Sequence, residues 1–91
     1  MKIIETKKFK QEIKDIAFYI RKDKPNASFE FVSILKRQIN DLVDFPYKYR
    51  KSIYFNDKNI RDMVFRGYTV IYEVKENSIE VMSIFNQNKP A

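Results

Sequence analysis

The sequence predicts an α+β fold: an N-terminal strand, a helical hairpin, then a three-stranded antiparallel meander (β-α-α-β-β-β). Three observations carry that expectation. Helical periodicity runs from Thr6 to Asp44 with one interruption, at Pro25. From Ile60 the pattern changes to β-branched and aromatic alternation. The only glycine among 91 residues, Gly67, stands between two strand-like runs. Each element then has one apolar surface to bury, so the helices are expected on one face of the sheet, with the other face left available.

The first element is the short run KIIE at 2–5, followed by Thr6, a residue suited to N-capping. Beyond it Phe9, Ile13, Ile16, Ala17 and Ile20 fall at offsets of four, seven, eight and eleven, which stacks them on one helical face. Lys7, Lys10, Lys14 and Arg21 lie elsewhere around the helix and read as a solvated basic face. DKPNAS at 23–28 breaks the pattern, because proline is excluded from a helix interior and favoured in a first turn. A second helix is predicted from about Pro25 to Asp44, with Val32, Leu35, Ile39 and Leu42 on its stripe and Phe31 and Val43 beside it. Its end is placed at DFP, where Pro46 disfavours helical geometry in the residue before it. The two helices are expected to fold back as a hairpin.

YKYRKS at 47–52 is basic and aromatic, and reads as a loop or an irregular short strand leading into IYF and the turn-forming NDKN. Strands follow at IRDMVF, YTVIYEV and IEVMSIF. In the middle one Tyr68, Val70, Tyr72 and Val74 alternate with Thr69, Ile71 and Glu73. Gly67 marks a tight reversal that needs φ above zero. Tyr68 and Tyr72 are assigned to the core with their hydroxyls at its edge, whereas Tyr49 and Tyr54 are placed for exposure. No repeat, low-complexity segment or linker divides the chain, so residues 1–91 are expected to form one domain.

Composition narrows the chemistry. Histidine and cysteine are both absent, which removes disulfides, thiol nucleophiles, imidazole bases and ordinary zinc sites. Metal ligands and cofactors are therefore not expected. Lys and Arg number 18 against 12 Asp and Glu, a net charge of +6 that suits an anionic partner and equally suits solubility. No apolar run is long enough for a membrane span or a secretory h-region, so a cytoplasmic location is expected. A chain this short buries roughly two thirds of its unfolded surface, so a folded partner could add the missing burial.

In order and spacing, FKQEIKDIAFYI, DKPNA, INDLVDFP, the strand opening at Ile60 and Arg61, GYTVIYEV and IEVMSIF resemble the RelE/ParE superfamily of toxins from type II toxin-antitoxin modules. The likeness covers nearly the whole chain. The DKPNA connection and the long regular helical pair are more similar to the ParE branch. That resemblance implies a growth-inhibiting toxin of a plasmid-stabilisation type of module, neutralised by a cognate antitoxin. ParE-like members resemble poisons of DNA gyrase; the RelE-like alternative is a metal-independent endoribonuclease that cuts messenger RNA on the ribosome. A third alternative is a toxin fold that has lost its activity.

Ribonuclease chemistry of that kind needs a base or proton relay and cations that stabilise the developing phosphorane charge. Where RelE-like enzymes place an arginine after the hairpin tyrosine, this chain has Thr69. Beyond the last strand it offers NQNKPA, in which Lys89 supplies a point charge and no bidentate clamp. The remaining target-binding candidates are Arg50 and Lys51 in the loop and Arg61 and Arg66 around the next strand. Arg61 and Arg66 are five residues apart, so in a regular strand they would face opposite ways. Arg61 could alternatively pair with a carboxylate near Asp62 or on a helix, and Arg66 could simply be solvated.

Overall fold

The computed structural model describes residues 1–86, in which β1 (Lys2–Glu5), α1 (Lys7–Asp23), α2 (Pro25–Asp41), β2 (Arg50–Lys51), β3 (Ile60–Phe65), β4 (Tyr68–Val74) and β5 (Ser78–Asn86) follow one another. Thr6 caps α1 as expected: its Oγ1 accepts from the Phe9 N–H at 3.1 Å and donates to the Met82 carbonyl at 2.9 Å. One side chain thereby starts the helix and ties it to the last strand. A single residue, Lys24, separates the helices, and Pro25 opens α2. The Ser28 hydroxyl then donates to the Ala17 carbonyl at 2.7 Å, fastening the start of α2 to α1.

The second helix stops at Asp41, three residues before the predicted Asp44. Its end tightens into short-range turns, Leu42 N–H to Ile39 O and Val43 N–H to Asn40 O, so the chain leaves the helix before Pro46 can act on it. Leu42 is nonetheless buried with Phe31, Leu35 and Ile39, and α1 adds Phe9 and Ile13. Facing them from the sheet are Met63, Phe65, Val70, Tyr72, Val74, Ile79, Val81 and Ile84. The helical stripe and one sheet face therefore make one core, as the periodicities imply.

The sheet order is β1-β5-β4-β3-β2. β3, β4 and β5 form the predicted antiparallel meander, but β1 adds to it in parallel, Lys2 opposite Ser78 and Glu5 opposite Val81. YKYRKS supplies only the two-residue β2, with Arg50 opposite Asp62 and Lys51 opposite Arg61. A register shift between Ile71 and Tyr72 places Met82 as the extra residue of β5, and past it Glu12 of α1 takes over the edge, accepting from the Ile84 N–H at 3.1 Å and the Ser83 hydroxyl at 2.9 Å.

The second sheet face is not left open. Direct cross-strand pairing puts Arg50, Asp62, Val64, Thr69, Ile71 and Phe85 on it together. Over this face the segment after β2 turns back: Ile53 N–H donates to Asp62 Oδ2 at 3.0 Å, and the Tyr54 ring meets Phe85 edge-on at 5.4 Å. Thr69, Ile71 and Asp62 are all buried. An apolar loop has covered what the alternation alone would leave to solvent.

Candidate target-contact surface

Each candidate cation among the described residues is already engaged. The Arg50 Nη2 lies 3.3 Å from Asp62 Oδ2, and Lys51 Nζ is 3.3 Å from Asn56 Oδ1. Among the described residues Arg61 pairs with no carboxylate; its Nε donates to the Lys58 carbonyl at 2.9 Å and its Nη1 to the Tyr49 carbonyl at 3.1 Å, with the guanidinium 4.7 Å from the Tyr47 ring centre. That geometry uses its planar fork to close the 49–58 loop against β3. Arg66, in the β3–β4 turn, lies 3.5 Å from Oε1 of the exposed Glu30 on α2 and rests over the Phe65 ring. Lys89 falls outside the described residues.

Three of these cations, Arg50, Lys51 and Arg61, gather along the β2–β3 margin, although Arg50 projects on the opposite face from the other two. Arg66 sits at the far end of β3, roughly 16 Å away at strand rise. It does not oppose Arg61 by strand alternation, because it has left the strand: its φ is 51°, and its side chain reaches back to the helical side. Distance along the strand, and not facing, keeps the two apart.

The tyrosines divide differently from the sequence expectation. Tyr54 is half exposed, but Tyr49 packs against the core. Tyr72 is buried and donates from its hydroxyl to the Pro46 carbonyl at 2.7 Å; burial pushes its pKa up to about 12. A phenol so held is a structural donor and a poor proton relay near neutrality. Thr69, at the position where a RelE-like enzyme would carry arginine, is buried on the covered sheet face. No three carboxylates among the described residues are grouped to hold a metal ion, and no helix is long and apolar enough to cross a membrane.

The residue that sequence reasoning passed over is Asp62. Its side chain is fully buried, one oxygen serves both Arg50 and the Ile53 N–H, and Oδ1 has no partner among the described residues. The available signal was an acidic residue inside the apolar run IRDMVF. Tyr54 is exposed as expected, but the exposure of its neighbours Ile53 and Phe55, and of Val64, had no sign in the sequence. Together they give the chain an apolar knuckle on the margin where the cations gather. Such a surface can hold a macromolecule; it does not bring a base and several free cations to one point.

The fold and the sequence were compared with known proteins. No curated protein matches. A solved structure, titled "Chromosomal ParDE TA system from P. aeruginosa", superposes with a TM-score of 0.80 at 16% identity, covering 94% of this chain and 95% of that one, which shows a shared fold. The family described as ParE toxin of type II toxin-antitoxin system, parDE, matches residues 3–90. With the family match spanning nearly every residue and the strand–hairpin–meander order in agreement, the chain belongs to the ParE toxin family of type II toxin-antitoxin systems.

Proposed function

We propose that the chain inhibits growth by binding and poisoning DNA gyrase, and that a cognate antitoxin neutralises it. The observation that carries the protein-binding reading over RNA cleavage is the commitment of the described cations. Arg61 closes a loop through two backbone carbonyls, Arg50 serves a buried carboxylate, and Arg66 stands at the other end of β3 with Glu30. Phosphoryl chemistry without a metal would need several such groups free and convergent, beside a base tuned near neutral pH. The ParE family relationship supports gyrase as the target. The neighbour's title, naming a ParDE system, supports an antitoxin partner. A basic chain of net charge +6 suits an acidic antitoxin segment that orders on binding.

One preparation of the purified chain tests this in two assays. With gyrase, relaxed plasmid and ATP, supercoiling is expected to fall and cleaved DNA to accumulate. With translating ribosomes, messenger RNA is expected to stay intact. Cut message together with undisturbed gyrase would overturn the reading in favour of the ribonuclease.

A further inference from the structure

We infer that the knuckle Ile53–Tyr54–Phe55, with Val64 beside it, is the surface that docks on the protein target, and that its occupant presents an apolar centre inside an acidic rim. This rests on the protein-binding reading above. Ile53 is 67% exposed, Val64 45% and Phe55 43%, a concentration of apolar surface that a small chain has no folding reason to show.

The knuckle is built rigidly. Asp62 Oδ2 takes the Ile53 N–H, Ser52 Oγ takes the Tyr54 N–H at 3.1 Å, and Asp57 Oδ1 takes the Asn59 N–H at 2.8 Å. Keeping a fully buried, half-satisfied carboxylate at Asp62 is a costly way to hold a loop that merely joins two strands. It does hold the apolar tip in one shape, which lowers the ordering cost of association.

The charge around the tip selects the occupant. Arg50, paired with Asp62, and Lys51 and Lys58 are exposed at the margin, whereas none of the nearby acids is fully exposed, Asp62 being buried and Asp57 and Glu73 half-buried. A second copy of this chain would bring the same cations against them and be repelled. Nucleic acid also carries the right charge, but a run of stacked bases needs several ring faces, and of these four side chains Ile53 and Val64 have none, Tyr54 meets Phe85 edge-on, and Phe55 alone presents an exposed ring. An acidic protein surface with an apolar centre satisfies both features.

The test compares a double variant, Ile53→Ser with Phe55→Ser, with a control of similar apolar loss elsewhere, Tyr19→Ser with Phe29→Ser on the helical hairpin. All chains are first shown to keep the wild-type circular dichroism and a cooperative melt. Binding to purified gyrase is expected to weaken about tenfold or more in the knuckle variant and to stay near wild type in the control. Unchanged gyrase binding by the knuckle variant, or an equal loss in both, overturns the docking surface while leaving gyrase as the target. Should wild type not bind gyrase at all, the gyrase reading fails, and growth arrest on expression then judges the surface: loss of arrest in the knuckle variant alone supports it, and full arrest overturns it. Binding of a fluorescent single-stranded oligonucleotide, or a dimer in sedimentation, that the knuckle variant abolishes would assign the surface to nucleic acid or to self-association and overturn the proposal.

Discussion

Arg66 and Gly67 both adopt positive φ, 51° and 85°, in the two-residue turn between Phe65 and Tyr68. That is the type I′ geometry favoured in hairpins, and it suits glycine at its second position and asparagine at its first. An added Cβ at Gly67 would meet nothing within 4 Å, so substitution there is a test of backbone conformation alone. Gly67→Ala is expected to cost about 1–2 kcal/mol, seen as a drop in melting temperature, and Gly67→Val to cost more. A melt unchanged by either would contradict the turn geometry. Arg66→Asn should raise the melting temperature, since asparagine tolerates left-handed backbone and the exposed Glu30 pair it gives up contributes little. The glycine was legible because only one was present. Its neighbour's strain was not, because arginine gives no sign of it.

Tyr72 carries a pH dependence of known sign. Its pKa is raised from 10.0 to about 12 by burial, so the unfolded chain loses this proton first as the solution becomes alkaline. Its share of stability is complete below about pH 10 and is lost as pH rises from there towards 12. Thermal melts across that interval should show the decline in wild type and a shallower one in Tyr72→Phe. Some slope will persist, because burial also raises the Tyr68 pKa. The phenylalanine variant should be less stable at neutral pH by about 1 kcal/mol through the lost bond to Pro46.

Among the elements, the N-terminal strand, the helical hairpin and the meander were legible from local pattern, whereas the parallel placement of β1 beside β5 and the pairing of the short β2 were not. Thr6 and Pro25 announce helix starts by local chemistry that needs no tertiary partner. β2 has only two residues and exists because Asp62 and Arg61 stand opposite it, which no local pattern reveals. The open second sheet face failed as an expectation for the same reason: alternation shows that Thr69 and Ile71 share a face, but not that a loop returns over it. Within α2, Ile39 is almost wholly buried at the middle of the core. Ile39→Asp would place a carboxylate there without a partner and should abolish the folded state, whereas Ile39→Val should remain folded with a loss of about 0.5–1.5 kcal/mol. A cooperative melt near wild type in the aspartate variant would refute the assignment of that stripe.

For the molecule as a whole, a second basic patch lies apart from the knuckle: Lys7, Lys10 and Lys14 are exposed along α1, whereas the knuckle and its own cations belong to the β2–β3 margin. If the α1 face draws in an acidic antitoxin segment, replacing these three lysines with glutamine should slow association at low ionic strength and leave the dissociation rate nearly unchanged. Equal association rates for wild type and variant across a salt series would remove electrostatic steering from the account.

The parallel pairing of β1 with β5 also sets an order of events. Among the described residues β1 pairs with 78–81 alone, so a chain emerging from the ribosome with its N-terminus first carries β1 unmatched until those residues have been made. The helical hairpin can close early on local contacts, but its sheet waits for its penultimate strand in space, which is the last described strand in sequence. Until then Thr6 lacks Met82 and Glu12 lacks Ser83 and Ile84, so α1 is not yet docked. The sheet thus closes late, and a nascent chain halted before Ser78 should show no protection of β1 in hydrogen exchange, whereas the local α1–α2 and β3–β4 hairpins can form. Until that closure the toxin has its hairpins but not the sheet on which its knuckle and helices are set.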